Sequence, residues 1–353
     1  MGTASDFRYM PILKWKLGEQ VALQKVDDPD RVLMLPIIEF QPLVIKKNDR
    51  SGTIKNNIEK ATLSLIKSDG KNHAVAVDTL AFLSTTTTVK TVRTICDYFS
   101  KNDLQVFPVI HPSMVENEAA ELSTLSHYSD VVLRIKVFNC LAAQIEQVIT
   151  EAFVAVNNPE IRIHVVLDMF SIVNADPGQL ATRMKDFVEV ALQHERAYTV
   201  TLAGGSFPFN LTGIAKGNTL IPRVEWKVWK KILSAYPDIR FGDYAVTNPD
   251  PLAEIDPLKI NPSAAIRYAL QSEWMLLKAG GVRTYGFGQY NDLCELLILE
   301  PDYSTEEFSF GDEKYNFHAQ PGAPTGNMTT WRRDATSHHL ALTVRNCATL
   351  FGF

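Results

Sequence analysis

Short runs dense in Val, Ile, Leu and Phe recur along the chain, each followed by a longer segment whose apolar residues fall three or four apart. The runs are PILKWK from Pro11, VLMLPIIEF from Val32, HAVAVD from His73, LQVFPVIH from Leu104, VVLRIKV from Val131, IRIHVVLD from Ile161, YTVTLAG from Tyr198 and IRFGDYAV from Ile239. Within each, apolar residues are near-continuous instead of alternating with polar ones, as in strands covered on both faces. Their starts lie roughly 20 to 40 residues apart, room for a strand, a loop and a crossover helix. The intervening segments, TIKNNIEKATLSLIK from Thr53, TVKTVRTICDYFSKN from Thr88, CLAAQIEQVITEAFVAV from Cys140, PGQLATRMKDFVEVALQ from Pro177 and PRVEWKVWKKILSAY from Pro222, have the period of amphipathic helices. Asp176, before Pro177, is placed to cap one of them. Eight β-then-α units in succession predict an α/β fold, a (β/α)8 TIM-type barrel, over an open doubly wound sheet.

Beyond the eighth run the pattern changes. The stretch TNPDPLAEIDPLKINPSA from Thr247 carries four prolines and predicts a long loop. In AIRYALQSEWMLLKAG from Ala265, the spacing of Ile266, Leu270, Trp274 and Leu277 predicts the eighth helix. The segment from Ser309 is polar, aromatic and punctuated by Gly and Pro, and reads as a lid or an appended cap. The expected organisation is a barrel over residues 1–280 and a C-terminal extension over 281–353 that folds over the barrel mouth.

Composition narrows the setting. Of 353 residues, 46% are hydrophobic and 21% charged, with no apolar run of bilayer-spanning length and no secretory layout in the opening residues, so a cytoplasmic protein without membrane association is expected. Four scattered cysteines form no zinc-ligand spacing and read as small buried hydrophobes. A net charge of −5 without a dense cationic run argues against a general duplex-binding surface, while local basic pockets remain allowed.

In a parallel barrel the chemistry sits at the C-terminal strand ends. There the chain places Lys14 and Lys16, Glu39, Asp78, His111, Arg134, Asp168, the Gly204-Gly205-Ser206 turn and Asp243. Four carboxylates around one mouth need cations, either Lys14, Arg134 and Arg332 as an internal network or a hard divalent ion such as Mg2+. The backbone N–H groups of Gly205 and Ser206 are candidates for holding a phosphate or carboxylate. The densest cluster of reactive side chains, Trp331-Arg332-Arg333 with His338-His339, has no third ligand at zinc spacing.

The motifs YMPILKWKLGEQVAL from Tyr9, LPIIEF from Leu35, FGDYAVTNP from Phe241, IRY from Ile266, QYNDL from Gln289, FGDEKY from Phe310 and WRR with SHHL from Trp331 resemble, in this order, the beta protein family of phages and bacteria. The resemblance implies a prokaryotic or phage cytoplasmic setting and no particular activity. It also groups Lys14, Lys16, Glu39 and Asp243 with Arg267, Trp331, Arg332 and His339, which implies that the C-terminal segment returns to the mouth. The leading expectation is an enzyme acting on a small anionic, phosphorylated or nucleotide-like ligand. Lys14, Lys16, Arg134, Gly205, Ser206, Arg267 and Arg332 would hold the anion, Glu39, Asp78, Asp168 and Asp243 would bind Mg2+ or serve as general base, and His339 or His111 would donate or accept a proton. The alternatives are a non-catalytic binding protein in phage–host conflict and a nucleic-acid-binding protein.

Overall fold

A computed structural model describes residues 7–42, 50–68, 70–82, 88–250 and 261–352. All eight expected runs form strands: β1 (Tyr9–Lys14), β2 (Ile37–Glu39), β3 (Val75–Asp78), β4 (Val106–Ile110), β5 (Asp130–Lys136), β6 (Arg162–Ser171) and β7 (Ala197–Gly205), then, after an additional strand β8 (Gly217–Pro222), β9 (Arg240–Asp243). The barrel closes in the order β1-β2-β3-β4-β5-β6-β7-β9, every neighbour parallel. The expected (β/α)8 architecture is therefore present.

Period-two alternation sorts the strand residues into two cores. Tyr9, Leu13, Ile38, Val77, Leu167 and Phe241 face outward into the layer under the helices. Met10, Ile12, Ile37, Ala76, Val109, Val132 and Val166 fill the barrel interior. The residues two further along β1, β2 and β3, namely Lys14, Glu39 and Asp78, lie side by side in register on top of that apolar filling.

The outer layer is made by α1 (Leu17–Gln24), α2 (Asp28–Arg31), α3 (Arg50–Lys67), α4 (Val89–Ser100), α5 (Pro112–Asn117), α6 (Ala119–Leu122), α7 (Ala142–Val156), α8 (Pro177–Gln193) and α9 (Val224–Leu233). Asp176 caps α8 as expected, its side chain accepting from the Gln179 N–H. The cysteines are all unpaired, three of them buried. Among the described residues no helix is long and apolar enough to cross a membrane.

The expected eighth helix over Ala265 is corrected. Residues there form an antiparallel hairpin, β10 (Ser263–Ala269) and β11 (Glu273–Gly281), with β8 added on the other side of β11. Ile266, Tyr268, Met275 and Leu277 pack on one face. Ala265, Ala269, Trp274 and Leu276 pack on the other. A hairpin covered on both faces lacks the polar alternation that marks a strand, and its apolar residues then coincide with helical spacing.

Three further helices follow, α10 (Val282–Tyr285), α11 (Gln289–Ile298) and α12 (Phe310–His318), and then the long α13 (Met328–Phe351). The C-terminal half of α13 takes the eighth helical position: Leu340, Val344 and Cys347 join the outer core of Tyr9 and Phe241, and the helix packs along α1 and β1. Its N-terminal half contributes Trp331 and Ala335 to the two cores of the three-stranded sheet. A buried pair joins these parts. His338 donates from Nε2 to the Ala269 carbonyl at 2.8 Å and meets Asp312 Oδ2 through Nδ1 at 2.8 Å, while Tyr268 donates to Asp312 Oδ1. Of the proline-rich stretch from Thr247, residues 251–260 lie outside the described residues, as do opening residues 1–6.

Candidate functional site: the barrel mouth and an adjoining basic cavity

The mouth is organised around Arg134, which β5 points inward above Val132. Its Nε donates to Asp168 Oδ2 at 2.9 Å, and its Nη1 donates to Asp78 Oδ2 at 2.6 Å and to Glu39 Oε1 at 3.2 Å. Its Nη2 meets the Tyr244 hydroxyl, which itself donates to Asp168 at 2.6 Å. His111 Nε2 lies 3.0 Å from Asp78 Oδ1. Arg134, Asp78 and Asp168 are no more than 1% exposed, whereas the Glu39 side chain is 16% exposed.

Burial alone would push these carboxyls up and the guanidinium down. For Asp78, the charge and hydrogen bond of His111, followed by the charge of Arg134, outweigh burial and hold the carboxyl well below the usual range. For Arg134, burial is overcome by Tyr244, Asp168, Asp78 and Glu39 together, which drive it further up. Lys14 donates to the carbonyls of Asn248 at 2.7 Å and Asp250 at 3.0 Å. Burial, helped by Lys16 and Arg332 and opposed by Glu39, lowers it. The guanidinium lies between Glu39, Asp78 and Asp168, where a shared divalent ion would have to sit. Among the described residues no group of three or more His, Cys, Asp or Glu side chains is arranged to hold a metal. The carboxylates' coordinating capacity is taken by Arg134, so this donor set does not fit Mg2+.

Asp243 does not join them. Tyr244 faces Arg134, so its neighbour on the strand turns to the outside of the wall. There Asp243 accepts from Tyr9 Oη at 2.6 Å, His339 Nε2 at 2.7 Å and Arg223 Nη2 at 3.3 Å. His339 stacks on Trp274 with ring centroids 5.0 Å apart. Burial, with Arg223 and His338 adding to it and Asp243 opposing, lowers His339 and keeps it neutral. Asp243 and His339 thus bolt α13 to the barrel wall and are sealed from the mouth, at about 1% exposure or less.

The Gly205-Ser206 turn is also occupied. A Cβ on Gly205 would meet Pro249 at 2.7 Å and Tyr244 at 3.2 Å, so glycine is there for close packing. Ser206 Oγ donates to the Pro222 carbonyl and accepts from the Val224 N–H. Lys16 is exposed at the start of α1. Arg332 lays its stem over Gly18 and donates to the buried Glu19 at 3.3 Å.

Arg267 and Arg332, with Lys278, come together in a separate cavity of about 400 Å3. Its walls are the β7–β8 connection from Phe209 to Thr212, β10 and β11, Tyr290 of α11 and the first turns of α13. The segment after β9 touches both places: the Val246 carbonyl accepts from Arg267 Nη1 at 2.7 Å, and the Asn248 carbonyl accepts from Lys14 at 2.7 Å. Lys278 Nζ is held by the Leu211 and Ile214 carbonyls. Among the described residues no carboxylate lines the cavity. Burial and the charge of Arg332 push Arg267 down to about 9, so it stays a cation at neutral pH. Its guanidinium lies 4.5 Å over the Phe207 ring.

A family model described as Beta protein matches residues 9–345, which take in all eight barrel strands, the inserted sheet and most of α13. The chain belongs to the Beta protein family. Comparison with curated proteins gives no match. In this family member Glu39, Asp78, Arg134 and Asp168, all read from strand ends, lie together, with Lys14 beside Glu39 in register. Tyr244 as a partner of Arg134, and Arg223 as a partner of Asp243, were missed. Tyr244 carried a signal, being one residue from Asp243 and hence on the opposite side of the strand. Lys278 was missed because its strand was read as a helix.

Proposed function

We propose that the protein binds a small organic anion, of the phosphate-ester class, in the cavity between the three-stranded sheet and the start of α13. The observation that carries this reading is a cavity lined by Arg267, Lys278 and Arg332, with no carboxylate among the described residues of its walls. Two guanidinium groups held near each other in a partly dehydrated site repel, and a bound anion relieves that repulsion. The N-terminus of the 24-residue α13 adds a positive potential from the same side. The volume suits a small-molecule site, which usually falls between roughly 300 and 1,000 Å3. Self-pairing of the mouth carboxylates on Arg134 supports binding over metal-dependent catalysis.

Titration calorimetry with ribose 5-phosphate tests this. Binding is expected to weaken by at least tenfold in Arg267→Gln, since a charge-assisted hydrogen bond contributes roughly 1.5–3 kcal/mol. The same variant should melt only a few degrees below the parent, because it removes a cation without a carboxylate partner and loses the hydrogen bond to the Val246 carbonyl, at about 1–3 kcal/mol. Unchanged binding, or no binding by the parent, refutes the assignment.

A catalytic reading rests on one specific feature, the His111–Asp78 pair, in which a carboxylate orients a histidine at the mouth. Turnover of a phosphate ester taken up at the mouth itself, followed by 31P NMR, abolished in His111→Gln and retained in Arg267→Gln, would establish it. Absence of turnover confines the protein to binding.

A further inference from the structure

We infer that the occupant of this cavity is a nucleoside monophosphate, its phosphate on Arg267 and Arg332 and its base against Phe209 and Asn210. This rests on the anion-binding reading above and deepens it. A free phosphate would leave most of a 400 Å3 space to water, so the anion must carry a sizeable organic group. The character of that group follows from the rest of the lining. Phe209 and Met328 both border the cavity and are 37% and 46% exposed, which leaves an apolar patch beside a cationic one. Such a pair of surfaces matches a ligand that is anionic at one end and apolar and flat at the other.

Polar groups on the same wall favour a heterocycle over a plain hydrocarbon ring. Asn210 commits its Oδ1 to the Thr212 N–H at 2.9 Å, leaving its amide N–H groups to meet ring acceptors. The floor is packed: Tyr290 and Trp331 stack with centroids 4.2 Å apart and planes 8° apart, an arrangement made without a ligand. The charge also matches. A phosphomonoester carries about −1.5 to −2 at neutral pH, against three lining cations of which Arg332 is partly spent on Glu19.

The test is calorimetry of the full chain with AMP, GMP, CMP and UMP, with ribose 5-phosphate, inorganic phosphate and adenosine as the comparison set. At least one nucleotide is expected to bind on the order of tenfold or more tighter than ribose 5-phosphate, within what base–aromatic stacking contributes. Phe209→Ala should erase that advantage while leaving ribose 5-phosphate affinity unchanged, and Arg267→Gln should weaken both. Equal binding of ribose 5-phosphate and every nucleotide refutes the base site while the anion site stands. Nucleotide binding insensitive to Phe209→Ala refutes the placement of the base. Failure of all the phosphates to bind removes both proposals together.

Discussion

Arg134 is the keystone of the mouth, and its removal should be far more costly than that of any single carboxylate it holds. Arg134→Met leaves Asp78 and Asp168 fully buried without the guanidinium 2.6 and 2.9 Å away, and Glu39 without its partner at 3.2 Å. Stranding buried charge in this way costs about 3–5 kcal/mol. At about 2.1 cal/mol/K of unfolding entropy per residue over 353 residues, that corresponds to a fall in Tm of roughly 4–7 °C. Glu39→Gln is different in kind. The amide oxygen still accepts from Nη1, Arg134 keeps two carboxylates, and the position is partly hydrated, so the expected loss is about 1 kcal/mol or less.

Both variants can be followed by differential scanning calorimetry at pH 7 and pH 4.5. In the parent, Asp78 is held low, so this group contributes stability that is present above its unfolded value of about 3.9 and is lost as pH falls below it. Without Arg134, Asp78 loses one of the charges that hold it low and takes up a proton more readily in the folded state. The gap between parent and Arg134→Met should therefore narrow at pH 4.5. A Glu39→Gln variant that falls as far as Arg134→Met, or a gap that does not change with pH, refutes the account of Arg134 as the shared cation.

Two other perturbations probe how α13 is held. His339 is lowered, chiefly by burial, so the unfolded chain binds more protons below about pH 6.5 and stability should fall on acidification, by up to about 1.4 kcal/mol per pH unit. His339→Gln should flatten the urea-denaturation stability profile between pH 6.5 and 5, and an unchanged slope would show that His339 is not the neutral group described. Gly311→Ala should destabilise despite alanine's higher helix propensity, since a Cβ there would overlap the Asp334 carbonyl oxygen of α13. A Tm equal to or above the parent's would show that α12 and α13 can part at no cost.

What the sequence by itself determined is the barrel and the inward ring above it. Strand composition, the recurring helical period and the two-residue repeat are local properties, and they suffice to place Glu39, Asp78, Arg134 and Asp168 at one end of one enclosure. The partners of those groups were not local. Tyr9 and Asp243 are 234 positions apart and meet only because β1 and β9 close the barrel, and His339 reaches Asp243 only because α13 supplies the eighth helix after a long insertion. The hairpin of β10 and β11 was hidden because both its faces are covered, and with it went Lys278. The choice between Mg2+ and an internal cation was likewise open, since charge balance is satisfied by either. Only the side chain that reaches the centre first, the guanidinium of Arg134, decided it, and only the docking of the inserted sheet against α13 created the cavity in which Arg267, Lys278 and Arg332 stand together.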